Sequence, residues 1–277
     1  MEENKTCYHF QTRVYETSLF GTSVDATYIL HLKNNGRMPS IEAQLKQNRP
    51  TNIVYIVENQ GYKNCQKKLH EYKPAHDLTD AFLQVFKHAK QHHYDNILIL
   101  EDDFIFVSNP QKECDEIGEF LKTKDLFIYY LGCIPYLQSG GFTHNNLYLS
   151  TGMHACIYSK KLREQVLTYH QSDIVDWDVF HNLHSVRYVY HKPICYQIYS
   201  STENSKHWYN PFGAANVVKF IFSLTGVDKT PEPGHTIHYV LSKLLYLFLC
   251  VLLVYGSLLI LQSLVSQKTV RRIQKKG

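Results

Sequence analysis

The chain has 277 residues and a formal net charge of +4, but five of its basic residues lie within positions 266–277. The first 265 residues therefore carry a net charge of −1, which excludes the basic face that a folded nucleic-acid-binding domain needs. Without the apolar C-terminal region, about 230 residues remain, enough for one sizeable α/β core and too few for two domains. We expect one domain and no nucleic-acid partner.

The first half of the chain alternates strands and helices. The segments Thr27–Leu32 and Asn52–Val57 are apolar enough for strands, and a short helix is expected at 41–45 between them. This order predicts a parallel pair with a right-handed crossover. Apolar residues then recur at helical spacing over Leu78–Lys90, with Asp77 as a candidate N-cap.

An aliphatic run at Ile97–Leu100 leads directly into Glu101, Asp102 and Asp103. Such a run is typical of a strand buried on both faces, and ligands of open α/β sheets gather beyond the carboxyl ends of strands. Side chains alternate between the two faces of an extended segment, which predicts that Glu101 and Asp103 point one way and Asp102 the other. Because a hard divalent cation joins one or two carboxylates to a substrate phosphate, we predict a metal–diphosphate site. The alternative, an acidic helix N-terminus, is disfavoured because an extended apolar run follows at 104–107.

The second half of the body continues the same alternation. A glycine-rich loop at 139–146 is expected to be mobile over a substrate cleft, and it lacks the GK[ST] ending of a phosphate-binding P-loop. The predicted class is α/β, a single domain with a mostly parallel sheet flanked by helices. The remaining predicted elements are a helix at 112–121, a strand at 125–131, a strand at 154–158, a helix at 160–169 and a strand at 186–190.

A long apolar segment lies near the C-terminus. Leu244–Val265 contains no charged residue in 22 positions, enough to cross the ~30 Å hydrocarbon layer as a helix. A buried core helix is the alternative, but such helices seldom run so long without a polar face. The predicted organisation is a catalytic domain at 1–226, a linker at 227–243, a transmembrane helix at 244–265 and a basic tail at 266–277.

The two available signals for membrane sidedness disagree. The N-terminal residues show no apolar core of a signal peptide, which favours a single-pass C-terminal anchor with a cytosolic body. The basic tail instead favours a body on the lumenal side. We expect the cytosolic side, with the lumenal side as the alternative. Six cysteines lie in the body; up to three disulfides or free buried thiols are both consistent with them, so the redox compartment stays open.

Several segments, taken in chain order, resemble glycosyltransferase family 25, the lipopolysaccharide-type and collagen galactosyltransferase-like group with a GT-A fold. The resemblance covers most of the body. In the helix before the acidic strand, Thr79 and Asp80 stand in the neighbourhood where the family usually has Ser-His. The matching segments are Tyr28–Leu32 with Arg37, that helix, Ile97–Phe106, Gly152–Tyr158, Ile174–Asp178, and Pro193–Gln197 with Ser200 and Ser201.

The resemblance implies a metal-dependent transfer of a hexose from a nucleotide sugar, such as a UDP-hexose, to an acceptor hydroxyl of a glycan, protein or lipid. Glu101, Asp102 and Asp103 match the family's acidic triplet, which implies that Asp102 and Asp103 hold Mn²⁺ or Mg²⁺, with Asp103 as the first choice for direct ligand. Arg37 is a candidate nucleotide contact; the alternative is an ordinary surface arginine.

Family members that invert the anomeric centre need a general base for the acceptor hydroxyl. Asp176 matches the corresponding acid, and Asp178 is the second choice; both could also be ordinary residues at a helix start. Trp177, between them, is suited to stacking on a sugar ring or to packing in the core.

Two other functions remain open from the sequence. Nucleotidyl or phosphoryl transfer would use the same ion, but it needs a basic clamp, and no Lys/Arg cluster accompanies the acids. A catalytically silent, membrane-anchored scaffold that keeps the glycosyltransferase fold is the second alternative.

Overall fold

The computed structural model describes residues 7–197, 214–227 and 229–274. Ser200 and Ser201 of the family-like segments lie outside the described residues. The strands are β1 (Tyr8–Val14), β2 (Ala26–Leu32), β3 (Ile53–Asn59), β4 (Asn96–Glu101), β5 (Phe104–Phe106), β6 (Ile128–Gln138), β7 (His144–Ser159), β8 (Arg187–Tyr190) and β9 (Cys195–Gln197). The helices are α1 (Met38–Gln47), α2 (Pro74–Gln91), α3 (Gln111–Leu121), α4 (Lys160–Val166), α5 (Trp177–His184), α6 (Ala214–Thr225) and α7 (Gly234–Gln274).

A seven-stranded sheet in the order β1-β3-β2-β4-β7-β6-β8 forms the centre of the domain. Strands β3, β2, β4, β6 and β8 run in one direction, and β1 and β7 run against them. The predicted α/β class with a mostly parallel sheet is therefore confirmed. The two antiparallel members, and the separate β5–β9 pair, were not predicted, because their pairing depends on contacts between distant segments.

Helices cover both faces of the sheet. Apolar side chains of α2, α4 and α5 pack on one face, together with Ile97 and Ile99 of β4. Those of α1 and α3 pack on the other face, together with Leu98 and Leu100. The continuous aliphatic run of β4 is thus explained by burial on both sides, as the sequence predicts.

The glycine-rich segment is shorter as a loop than predicted. Only the residues between Gln138 and His144 connect β6 to β7, which pair as a long antiparallel hairpin. His144, Asn145 and Asn146 already pair with β8. The predicted loop at 139–146 is therefore partly strand.

The interval predicted as a linker, 227–243, is in large part helical. Helix α7 begins at Gly234, and His235, Tyr239 and Ser242 are buried at helical spacing. The side-chain amide of Gln138 donates to the Tyr239 carbonyl at 3.1 Å and to Ser242 Oγ at 2.8 Å. The prolines and glycine at 231–234 suggested a linker, but they precede a helix whose first turns are packed on β6.

Of the described helices, α7 is the one that is long and apolar enough to cross a membrane, over Gly234–Leu264. None of the residues in its most apolar window is buried, unlike those in the core helix of a soluble protein. Cys7 and Cys65 form a disulfide, and the four other cysteines of the described body are free and buried.

Candidate functional site

The carboxyl ends of β2 and β4 lie side by side because the two strands are parallel neighbours, with Leu30 opposite Glu101. The chain turns sharply after each strand. After β2, Gly36 adopts a left-handed φ of 78°, a conformation that favours glycine, and Pro39 lies in the first turn of α1. This geometry brings residues 31–37 against the acids that follow β4.

Asp102 is enclosed by donors from that turn. Its Oδ1 accepts from Arg37 Nη1 at 2.5 Å. Its Oδ2 accepts from Asn35 Nδ2 at 2.5 Å and from the Leu32 amide at 3.1 Å, and it lies 3.3 Å from His31 Nδ1. Burial alone would raise the pKa of Asp102, but the hydrogen bond to His31 and the charge of Arg37 hold it below its usual value. Asp102 therefore fixes the turn and Arg37 in place.

Asp103 and Glu101 are much less well satisfied. They share one amide donor, Gln197 Nε2, at 3.3 Å from Asp103 Oδ2 and 3.2 Å from Glu101 Oε2. Arg37 Nη1 also lies 3.3 Å from Asp103 Oδ2. Asp103 Oδ1 is buried and has no hydrogen-bond partner among the described residues. The two acids thus share one donor. Strand β4 ends at Glu101, so the predicted alternation does not extend to Asp102 and Asp103, which lie in the following turn and both contact Arg37 Nη1.

Burial disfavours the charge of both carboxyls. It raises the pKa of Asp103 to about 6 against the lowering effect of Arg37, and Asp102 adds to the rise. Burial also raises the pKa of Glu101 well above its usual value, and the charges of Asp103 and Asp178 act in the same direction. A cation at this position would stabilise both carboxylates and so lower both pKa values.

Gln197 reaches the acids through an unusually close crossing of strands. Strand β9 pairs with β5, with Gln197 opposite Phe104, and so passes over β6 at Gly132. A Cβ at Gly132 would lie 1.7 Å from the Cys195 carbonyl oxygen, so only glycine fits there. Buried His154 approaches the same carbonyl with Nε2 at 3.1 Å. Gly132 and His154 therefore position the strand that delivers Gln197.

The two candidate bases differ in their surroundings. Asp176 caps α5, and its Oδ1 accepts from the Val179 amide at 3.1 Å. Asp178 turns toward β7, where its Oδ2 accepts from Thr151 Oγ1 at 2.9 Å and from the Gly152 amide at 3.1 Å. Burial raises the pKa of Asp178 to about 7, and Asp176 adds to the rise. Of the two candidate bases, Asp178 is also the one whose charge raises the pKa of Glu101.

Trp177 belongs to the core. It is 5 % exposed, its ring stacks on Phe82 with centroids 4.5 Å apart, and its Nε1 donates to the Tyr158 hydroxyl at 3.2 Å. A role in stacking on a sugar is therefore excluded in this arrangement, because the ring is already covered.

His31, Asn35 and Gln197 are site residues to which sequence reasoning gave no role. His31 and Gln197 lie inside family-like segments, and Asn35 lies in the turn before Arg37. Their positions in those segments were the only available signal. Their contacts with the acids depend on the turn after β2 and on the β5–β9 pairing, and neither could be read from local pattern.

The donor set fits a cation that is shared with a substrate. Among the described residues, no group of three or more His, Cys, Asp and Glu side chains is placed to hold a metal ion. Mg²⁺ in phosphate-transfer sites commonly takes only one or two carboxylates and completes its shell with water and substrate phosphates. Asp103 Oδ1, with Glu101 beside it, meets that requirement, whereas the oxygens of Asp102 are already taken by donors.

Comparisons with known proteins give the chain no family. No family model matches it, and no curated protein matches its sequence. It is similar to the crystal structure of A197 from STIV, with a TM-score of 0.38, 13% identity, and coverage of 60% of this chain and 81% of that one. It is also similar to a glycosyltransferase involved in the glycosylation of the major capsid of PBCV-1, with a TM-score of 0.33, 10% identity and the same two coverages. These likenesses are too low to carry an argument about this chain.

Proposed function

We propose that the chain is a metal-dependent glycosyltransferase with a GT-A-like domain, which transfers a hexose from a UDP-sugar to an acceptor hydroxyl with inversion. One observation carries the proposal. At the end of β4, Asp103 Oδ1 is buried without a hydrogen-bond partner among the described residues, beside Glu101, whose charge is also disfavoured by burial. A buried carboxylate oxygen without a partner is costly, and a divalent cation would satisfy it.

Asp103 and Glu101 would hold Mn²⁺ or Mg²⁺ at the edge of the sheet. When bound, the ion supplies positive charge to the diphosphate leaving group. Asp102 and Arg37 act differently in this proposal. Their ion pair fixes the turn before α1, and the Arg37 side chain, which keeps 24% of its surface exposed, faces the space where the nucleotide would lie.

Asp178 takes the acceptor proton in this proposal, with Asp176 reduced to a helix cap. The bonds from Thr151 and Gly152 engage Asp178 Oδ2, so we assign Oδ1 as the atom that receives the proton. A pKa of about 7 suits a general base near neutral pH. The acceptor oxygen forms a bond to the anomeric carbon, the bond from that carbon to the diphosphate breaks, and the hydroxyl proton passes to Asp178.

One observation favours a silent scaffold as the second candidate function. Arg37 Nη1 contacts both Asp102 and Asp103, so a side chain of the protein already neutralises part of the acid cluster. A scaffold would keep this pairing permanently and would bind no donor. The two functions are therefore separated by whether the metal and UDP bind at all.

The test of the enzyme proposal is hydrolysis of a panel of UDP-hexoses by the full chain in detergent micelles, with and without Mn²⁺. We expect hydrolysis of at least one donor, dependent on the metal. If no donor is hydrolysed and neither UDP nor Mn²⁺ binds, the scaffold replaces the enzyme. Metal-independent hydrolysis would contradict the assignment of Asp103.

We further propose that α7 anchors the protein and that the body lies on the non-cytosolic side of the membrane. Two observations support this side over the cytosolic one expected from the sequence. The Cys7–Cys65 disulfide suits an oxidising compartment, and the basic residues after the span suit the cytosol.

Protease treatment of sealed microsomes that carry the full chain tests the sidedness. We expect the body to survive until detergent opens the vesicles, while a cytosolic marker on the same membranes is digested. Digestion of the body in intact vesicles would place it in the cytosol.

A further inference from the structure

Helix α6 exposes an apolar face beside the start of α7. Val217, Phe220 and Leu224 recur at i, i+3 and i+7 and are 59%, 68% and 75% exposed. The opposite side of the helix is packed, with Phe222 buried against Ile134. The α6 segment contains no acidic residue. An exposed face of this kind on a packed helix is typical of an interaction surface.

A second group of exposed apolar residues flanks α7 on the β6–β7 hairpin. Phe142, in the turn of the hairpin, is 97% exposed. Tyr148 and Leu149 on β7 are about half exposed, and the Tyr148 ring stacks on Tyr246 of α7 with centroids 5.7 Å apart. We call these three residues, together with Val217, Phe220 and Leu224, the apolar rim.

Contacts along α7 place the rim at the level where that helix leaves the domain. Thr225 Oγ1 at the end of α6 lies 3.2 Å from His238 Nε2. Next to Phe142, the Thr143 carbonyl accepts from the His191 amide, and the His191 carbonyl accepts from Lys243 Nζ. The apolar rim therefore lies beside the part of α7 that runs from about His238 to Tyr246.

The length of α7 can be compared with the thickness of a bilayer. Its apolar segment Gly234–Leu264 has 31 residues, or about 46 Å at 1.5 Å per residue. That exceeds the ~30 Å hydrocarbon layer and matches a bilayer with its headgroup regions, about 40–45 Å. A helix of this length that crosses a bilayer would therefore have its first turns, where α6 contacts it, in the headgroup layer.

We propose that the apolar rim rests in the headgroup layer of the leaflet in which α7 begins, so that the domain lies on a phospholipid surface in one fixed orientation. Apolar side chains buried to this depth, about 5–10 Å, are typical of interfacial helices. The occupant of the rim is lipid, because the rim flanks a helix whose apolar residues are themselves exposed from Val240 onward. The proposal depends on the anchor and not on catalysis.

The test measures lipid contact with the full chain reconstituted in vesicles of phosphatidylcholine and phosphatidylglycerol. A fluorescent NBD label is placed at Phe220→Cys or at Phe142→Cys, each in a Cys250→Ser background, and quenched by shallow spin-labelled lipids. Val14→Cys is the matched control. Val14 is apolar and 75% exposed, but it lies on β1, about 24 Å across the sheet from β6.

We expect quenching at positions 220 and 142 to be several-fold stronger than at position 14. Quenching at either rim position no stronger than at position 14 would overturn the proposal. Energy transfer between copies that falls on dilution, without lipid quenching, would also overturn it, in favour of a second copy of the chain on the rim. Circular dichroism of each variant confirms that the fold is retained, so that the quenching comparison stays decisive.

Discussion

Two buried charged clusters lie at the same edge of the sheet, and they differ in how completely their hydrogen bonds are made. Beyond β3, Lys67 Nζ donates to the Tyr8 hydroxyl at 2.7 Å, to Asn59 Oδ1 at 2.6 Å and to Asp77 Oδ1 at 2.5 Å. All three of its donors are used. Beyond β4, Glu101 and Asp103 share a single amide. We call the first group, Lys67 with Tyr8, Asn59 and Asp77, the closed cluster, and Glu101 with Asp103 the open cluster. The closed cluster has the properties of structural support, and the open cluster has the properties of a binding site.

The comparison extends to Asp178, whose charge raises the pKa of Glu101 in the open cluster. Asp178→Asn keeps the shape but cannot take a proton, so we expect the transfer rate to fall by about 10²–10⁴-fold while Mn²⁺ binding is retained. Asp176→Asn is the matched control, because asparagine caps a helix about as well as aspartate. Steady-state transfer assays measure both variants. A larger loss in Asp176→Asn than in Asp178→Asn would restore Asp176 as the base.

The closed cluster is tested by Lys67→Met. This change leaves Asp77 buried without its cation, and we expect the free energy of unfolding to fall by about 3–5 kcal/mol. Lys63→Met, in the same connection but exposed, should change it little. Denaturant unfolding of the full chain in micelles gives both values. A loss below about 1 kcal/mol would show that Lys67 does not stabilise the fold.

The contribution of the open cluster to folding stability should depend on pH in the opposite sense to that of a salt-bridged acid. The pKa of Asp103 is raised in the folded state, so its favourable contribution is complete below pH ~4 and is lost as pH rises through about 6. We expect the metal-free protein to lose about 1–3 kcal/mol of stability between pH 4 and 7 through this group. Asp103→Asn should flatten that part of the profile. An unchanged profile in the variant would contradict the raised pKa.

The crossing of β9 over β6 connects the open cluster to the rest of the fold. Gly132→Ala places a Cβ against the Cys195 carbonyl, so β9 must shift; we expect a loss of about 1–3 kcal/mol of stability. Because Gln197 would move with β9, Mn²⁺ affinity should change as well. Gly140→Ala, where a Cβ meets open space, is the control. Thermal unfolding and metal titration of the two variants would separate a local shift of β9 from general unfolding.

The sequence predicted the parts of the site that depend on local pattern. The aliphatic run of β4 predicted a buried strand, as the structure shows. Period-two alternation predicted Glu101 and Asp103 on one side and Asp102 on the other, but β4 ends at Glu101 and Arg37 contacts both aspartates. The partners of the acids could not be predicted this way. Gln197 arrives through a strand pairing between distant segments, and His31 and Asn35 arrive through a turn with left-handed backbone.

Asp176 illustrates a different difficulty. The sequence ranked it above Asp178 because it matches the acid of the corresponding family segment. An acid at the start of a helix, however, has the same local pattern whether it caps the helix or performs chemistry. The structure shows that Asp176 caps α5, whereas Asp178 is bonded to β7 and its charge raises the pKa of Glu101. In the same way, the prolines before α7 suggested a linker, although the helix that follows is packed on β6.

The candidate site and the first turns of α7 are close neighbours. Tyr196, adjacent to Gln197, donates its hydroxyl to Glu232 Oε1 at 2.6 Å, and its ring lies 5.0 Å from that of His235 in α7. The open cluster is thus joined through β9 to the base of the helix that is long enough to span a membrane. A hydroxyl acceptor presented near the bilayer surface would suit this arrangement.

The central claim is that Asp103 holds a divalent cation together with the diphosphate of UDP. Isothermal titration of UDP into the full chain in micelles, with and without Mn²⁺, tests it most directly, with Asp103→Asn and the exposed Asp125→Asn compared at the same pH. We expect Mn²⁺-dependent binding in the native protein and in Asp125→Asn, and at least a tenfold weaker affinity in Asp103→Asn. Equal Mn²⁺-dependent affinity in Asp103→Asn and the native protein would contradict the account.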